Sequence, residues 1–226
     1  MKFNLFSGRL SSLKAGLMAL FLFSASSMSL AQSRIYAHAQ SSGVFGVACL
    51  GCRIDNPLNA VGFNEDDYST MVLGTVLLGG IQQTLIFPDL RSDTRLVVGI
   101  GTDNIPLSVQ LLSGVTLETM NGGTSNDDRR TIDVSLLKLG ATPNRGTIEF
   151  KPAKPYDGIR IGLTGGVLSL GGGFRIYYAY QDPLMNITAH SQNGQITLGG
   201  NVPVEGSEVT IFNTSGKEVF RSTLRS

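Results

Sequence analysis

Cys49 and Cys52 are the only cysteines of the chain, set three positions apart in Cys49-Leu50-Gly51-Cys52. A pair at this spacing can be a small disulfide, a redox couple or half of a zinc site. A redox couple opens a helix, whereas Arg53-Ile54-Asp55-Asn56-Pro57 carries turn chemistry and the extended bias that proline imposes on its predecessor. Zinc would need further ligands, and the chain adds only His38 and His190. In an oxidising compartment the pair is most simply one disulfide, worth roughly 2 kcal/mol for so short a ring.

Oxygen-bearing side chains follow at once. Asp55 precedes the run Asn64-Glu65-Asp66-Asp67, and calcium takes its ligands from such mixed oxygen sets. Asp55, Asn64, Asp66 and Asp67 are therefore candidate ligands, with calcium as the ion they would hold; the other reading is a solvated loop, because no Asp-x-Asp-x-Asp-Gly pattern with a distal Glu is present. Tyr177, Tyr178 and Tyr180 form the one tyrosine cluster and the candidate platform for a sugar. Glu118, Asp133 and Glu149 could meet across a sheet as a glycosidase pair, or be exposed strand charges. Catalysis is not expected: the chain has no Gly-x-Ser-x-Gly, no His-Glu-x-x-His and no Trp to line sugar subsites. Finally, Leu73–Gly80, Leu111–Val115 and Gly165–Gly173 mix glycine with Val and Leu, although loops are normally polar. Val76, Leu77, Leu168 and Leu170 are thus candidate apolar loop tips at one adhesive end, with burial in the core as the competing reading.

The elements that position these groups are strands. Residues 1–31 carry Lys2, Arg9 and Lys14, an apolar run from Ala15 to Ala25 and small residues up to Ala31, the pattern of a secretory signal peptide cleaved after Ala31. The apolar run is shorter than the roughly 20 residues that span a bilayer, so no transmembrane segment is expected after cleavage. A formal net charge of +1 gives no reason to expect nucleic acid as a partner. With 28 glycines and 8 prolines the chain is punctuated too often for long helices, and apolar–polar alternation recurs at Gln83–Phe87, Arg95–Ile100, Leu107–Met120, Ile132–Leu136, Thr147–Lys151, Ile159–Leu163 and Phe174–Tyr180. The fold expected is all-β: a jelly-roll-like antiparallel β-sandwich of about eight strands with a small C-terminal β-hairpin region. The expected boundaries are a signal peptide at 1–31, a lead-in at 32–47, the sandwich at 48–181, a linker at 182–190 and a β region at 191–226.

Two stretches resemble known families. ACLGC, NPLNAVGFNEDDYST, QTLIF and FRIYYA, within residues 48–180, resemble a discoidin-like β-sandwich domain of large secreted and surface proteins of Gram-negative bacteria. Asn59, Ala60, Val61, Tyr68, Ser69 and Thr70 match that family's loop, while Gly62 and Phe63 stand where it has Asp-Gly. Residues 191–226, with Gln195–Leu198 and Glu208–Phe220, resemble the first half of a type IX secretion C-terminal sorting domain; Asn213-Thr214-Ser215-Gly216 reads independently as a hairpin turn. The resemblances imply a secreted, extracellular or cell-surface-associated module that is not an enzyme. It would bind a cell-surface glycan or protein, and meet the export machinery through its signal peptide and tail. A carbohydrate-binding module and a structural spacer without ligand are the alternatives.

Overall fold

The computed structural model describes residues 20–21, 34–164, 173–184, 187–192, 195–200, 208–213 and 215–223. The chain divides into two compact units, Gln32–Leu184 and a second made of Met1–Ala31 with Met185–Ser226. In chain order the strands are β1 (Leu20–Phe21), β2 (Ile35–Tyr36), β3 (Ala39–Leu50), β4 (Arg53–Asp55), β5 (Ser69–Val72), β6 (Thr75–Arg91), β7 (Thr94–Thr102), β8 (Val115–Asn121), β9 (Thr124–Ser125), β10 (Arg130–Thr131), β11 (Leu137–Leu139), β12 (Arg145–Phe150), β13 (Tyr156–Thr164), β14 (Phe174–Pro183), β15 (Ile187–Gln192), β16 (Gln195–Gly200), β17 (Glu208–Phe212) and β18 (Glu218–Thr223).

Gln32–Leu184 is a sandwich of two antiparallel sheets. One runs β10-β8-β13-β6-β3 with β9 on β8, the other β11-β12-β7-β14-β5-β4 with β2 on β14. Successive long strands change sheet, β3 to β5 to β6 to β7 to β8 to β12 to β13 to β14, which is the jelly-roll habit expected from the sequence. Period-two alternation places Ile81, Leu85 and Phe87 of β6, Leu96, Val98 and Ile100 of β7, Ile148 and Phe150 of β12, and Ile159, Ile161 and Leu163 of β13 between the sheets. Each such side chain contributes about 1.5–3 kcal/mol when fully buried.

One buried polar side chain ties the lead of the acidic loop to this core. Gln83 is fully buried, accepts a hydrogen bond from Ser69 Oγ at 2.6 Å and donates to the Pro57 carbonyl at 2.8 Å. It thereby anchors the 3-10 turn Pro57–Ala60, whose Ala60 is buried in the core.

Several expected elements differ. The lead-in at 32–47 is part of the sandwich, because β2 pairs with β14 and β3 pairs with β6. The linker at 182–190 is partly strand, since β14 reaches Pro183 and β15 starts at Ile187. Gln83–Phe87 is only part of β6, which runs on through Pro88-Asp89 to a turn at Ser92-Asp93, where Asp93 takes φ 54°. Leu107–Met120 yields only β8; the preceding stretch turns, with Leu107 and Leu112 buried in the core. Ile132–Leu136 is a turn with Ile132 and Leu136 buried and Val134 exposed.

In the second unit, β15 pairs with β16 and β17 with β18 and β1. The β17–β18 turn is held by Asn213, whose Oδ1 accepts from the Ser215 and Lys217 amides at 3.0 and 2.9 Å. Val209 and Ile211 are buried, and Arg221 bridges Glu208 and Glu218.

Candidate functional site

Glu118 and Glu149 do not meet as a carboxylate pair. Glu118 lies between the core residues Leu117 and Val115 on one side and Thr119 on the other, facing outward from the first sheet, where it pairs with Arg160 and Arg129 at 3.3 and 3.5 Å. Glu149 lies between Ile148 and Phe150 and faces outward from the other sheet, toward Arg95. The sandwich stands between them. Asp133 caps a turn, accepting from the Ser135 and Leu136 amides, and the Ser135 bonds hold its carboxyl below the usual carboxylate range.

The proposed calcium ligands are dispersed by other partners. Asp55 pairs with Arg53 on its own strand, Asp67 accepts from Asn64 Nδ2 at 2.8 Å, and Asp66 accepts from Arg145 at 3.4 Å. Among the described residues no three His, Cys, Asp or Glu side chains gather as a metal site would require.

The tyrosines are brought together, but as packing. A β-bulge between Ile176 and Tyr178 puts two neighbouring residues on one side of β14. Phe174, Ile176 and Ala179 therefore enter the main core, whereas Tyr177, Tyr178 and Tyr180 share the outer face with Val97, Tyr36 and Tyr68. The room for the rings comes from Gly99 and Gly101 of β7, over which Tyr178 and Tyr177 lie. Tyr178 stacks on Tyr180 at 5.7 Å, and Tyr36 meets Tyr180 edge-on at 5.3 Å.

Arginines close this layer. Arg34, Arg145 and Arg175 lie over Tyr180, Tyr177 and Tyr68 at 4.6, 4.1 and 4.3 Å. Arg145 also donates to the Glu65 carbonyl, and Glu65 Oε1 accepts from Tyr36 Oη at 2.6 Å and Arg34 at 2.7 Å. The acidic loop is thus latched to the tyrosine layer. Tyr177, Tyr178 and Tyr180 are only 6%, 8% and 6% exposed, so they offer no open ring face on which a sugar could stack. Burial pushes the Tyr178 phenol up to about 12. Sequence reading missed Arg34, Glu65, Arg145 and Arg175; the signal available was the period-two pair Gly99 and Gly101 within an otherwise apolar strand, which marks close approach by large rings.

The apolar tips take a different form. Leu73–Gly80 is no loop: from Thr75 it is the start of β6, paired with β3. Among the described residues the last pair of the next strand, β13, is Thr164 with Gly80. Residues 46–50 and 75–79 continue as a paired two-stranded ribbon beyond that point. Register shifts at Gly46/Ala48 and Ala48/Cys49 twist it, and Gly46 and Gly79 take φ 92° and 134° where each backbone presses on the opposite strand. Cys49 and Cys52 form the disulfide, 5.5 Å between Cα atoms, where the chain leaves β3 for the other sheet. The Gly74 amide donates to Cys52 Sγ at 3.3 Å, so the second sheet change, from β5 to β6, is fastened to the same corner.

The ribbon exposes aliphatic surface. Val47 is 80%, Leu50 73% and Leu78 69% exposed, with Val44 exposed beside them. Val76 is half-buried and paired with Cys49. Of Leu111–Val115, Leu112 and Val115 are core residues. Leu77's side chain, Leu168 and Leu170 lie outside the described residues. Leu73–Gly80 and Leu111–Val115 approach the same residue, since the Thr164 amide donates to the Gly114 carbonyl at 3.1 Å while Thr164 pairs with Gly80.

No family model matches the chain, and no curated protein matches it. Among solved structures, the lectin domain of lectinolysin complexed with Lewis B antigen is 11% identical with a TM-score of 0.41, covering 66% of this chain and 95% of that one. The family 32 carbohydrate-binding module from C. perfringens NanJ, in complex with galactose, is 13% identical with a TM-score of 0.40, over 66% and 98% of the two chains. A Clostridium perfringens CpGH89CBM32-4 structure in complex with GlcNAc-α-1,4-galactose is 10% identical with a TM-score of 0.40, over 68% and 98%. At this similarity the names carry no argument about what this chain binds.

Proposed function

We propose that the chain is an exported, non-enzymatic binding module that attaches to a protein on a cell surface through the apolar ribbon of β3 and β6. The observation that carries this reading is the exposure of Val47, Leu50 and Leu78, large aliphatic side chains held in solvent on one ribbon beside the Cys49–Cys52 disulfide. Several large apolar side chains left exposed on one paired ribbon point to an interaction site. Aliphatic side chains suit an apolar protein partner better than a glycan, which calls for open aromatic faces and directed polar groups. In this reading residues 1–31 direct export and are removed, and the β17–β18 hairpin belongs to a type IX sorting tail.

The test is binding of the chain from Gln32 onward to whole cells and to a glycan array, beside Val47→Asp with Leu78→Asp. Both side chains point into solvent, so the variant should fold with an unchanged melting midpoint. Loss of each buried aliphatic contact should weaken cell binding at least about tenfold, the equivalent of 1.4 kcal/mol. Unchanged cell binding by the double variant, or glycan binding indifferent to it, would overturn the proposal. No binding by the parent chain would leave the spacer reading in its place.

A further inference from the structure

The sandwich has four sheet edges, and three of them end in very short strands: β10 with 2 residues, β11 with 3 and β4 with 3. Short edges are one way in which sheets avoid pairing with other chains. The fourth edge is β3, with 12 residues, no charge and no proline. Among the described residues nothing pairs with its outer side. Its register with β6 is unbroken from Ala39 to Gly46, and only beyond that do the bulges begin. Ser41, Ser42, Gly43 and Val44 are exposed along the regular part.

We propose that this edge pairs with β3 of a second copy, antiparallel and two-fold symmetric about Ser42, joining two six-stranded sheets into one continuous sheet. The chemistry exposed is a row of backbone donors and acceptors, and its complement is another extended strand. An antiparallel two-fold makes that row its own complement. Charge favours the same occupant: β3 offers nothing to attract an acidic or basic partner, and an identical uncharged strand brings no like-charge repulsion. Pairing about Ser42 sets Ala39 opposite Phe45, Gln40 opposite Val44 and Ser41 opposite Gly43, so small side chains occupy the centre. Because each sandwich has one long open edge, the pairing closes as a dimer and does not propagate as a fibre. A ladder of this length is about 23 Å long and forms an interface below the roughly 1,200 Å² of stable complexes, so the dimer should exchange and build up with concentration. The inference is independent of what the ribbon binds, because Val47, Leu50 and Leu78 lie outside the paired stretch.

Sedimentation equilibrium of the chain from Gln32 onward, run from micromolar to millimolar concentration, tests it beside Ser42→Lys with Val44→Lys, exposed positions where a dimer would bring like charges together. The parent chain should pass from monomer to dimer with concentration, and the lysine variant should remain monomeric with the parent's melting midpoint. Amide exchange should slow at Ala39–Phe45 as dimer forms. A parent chain that stays monomeric at millimolar concentration would refute the proposal. So would dimerisation that survives the lysine variant, including a dimer abolished only by Val47→Asp with Leu78→Asp, which would place the contact on the ribbon.

Discussion

Replacing Gly99 by alanine tests whether the tyrosine layer is packing or an open face. A methyl group at Gly99 would lie 2.5 Å from Tyr178 Cε1, 2.7 Å from Cζ and 2.9 Å from Cδ1. Ordinary carbon contacts are about 3.5–4.0 Å, so the ring must retreat by about 1 Å. It has little room to do so, being 8% exposed, stacked on Tyr180 and touched edge-on by Tyr36. The displacement would pass through these rings to Arg34 and Glu65, which cover them. Forcing an extra methyl into packed surroundings costs about 1–3 kcal/mol, or about 2–4 °C of melting midpoint per kcal/mol for a chain of this size. Urea denaturation measures the loss, and near-ultraviolet circular dichroism reports the rings, since the chain has no Trp to obscure them. A loss below about 0.5 kcal/mol, the usual size of a surface effect, would mean that Tyr178 swings freely into solvent and would restore it as a candidate platform.

Gln83→Leu would leave the Ser69 hydroxyl and the Pro57 carbonyl without their buried partner, at a cost of about 2–4 kcal/mol in chemical denaturation; a neutral substitution would show that water replaces it. Tyr156 is buried, hydrogen-bonded to Thr94 at 2.8 Å, and its phenol is pushed up to about 12 by burial from an ordinary 10.0. The unfolded chain therefore loses this proton first, so its contribution to stability is complete below pH 10 and falls by about 1.4 kcal/mol per pH unit up to about 12. Tyrosinate absorbance from Tyr156 should appear only with unfolding, and ionisation near 10 in the folded chain, read by loss of that signal in Tyr156→Phe, would contradict its burial. Calcium would have to displace Arg145 from Asp66 and Asn64 from Asp67, so the melting midpoint should be the same in calcium and in chelator; a rise with calcium would show that the loop regroups around the ion.

Strand type was legible wherever one face meets the core and the other meets water. Thr147–Lys151 and Ile159–Leu163 became β12 and β13 because alternation is the direct signature of that environment. It misled at β14, where Phe174, Ile176, Tyr178 and Tyr180 read as a single face. The bulge at Tyr177 inverts the alternation midway, and nothing local in the sequence announces a bulge whose cause is the fit of two rings over Gly99 and Gly101. The long β3 was obscured in a different way. As an edge strand it buries little, so Ala39-Gln40-Ser41-Ser42-Gly43 carries no hydrophobic pattern and resembles a leader to the domain.

By itself the sequence determined an all-β chain, the strands of clean alternation, and a cysteine pair close enough to join. These depend on local chemistry, namely alternation, glycine and proline placement, and short loop closure. Only the tertiary structure decided which groups meet. It separated Glu118 from Glu149 by the thickness of the sandwich, gave the acidic side chains separate partners in Arg53, Asn64, Arg34 and Arg145, buried the tyrosines and left Val47, Leu50 and Leu78 in solvent. Arg34, Arg145 and Arg175 reach the tyrosine layer from β-strands and loops far apart in the chain. Strand order and register set such encounters, and both arise from pairing over long sequence separations that no window of neighbouring residues contains.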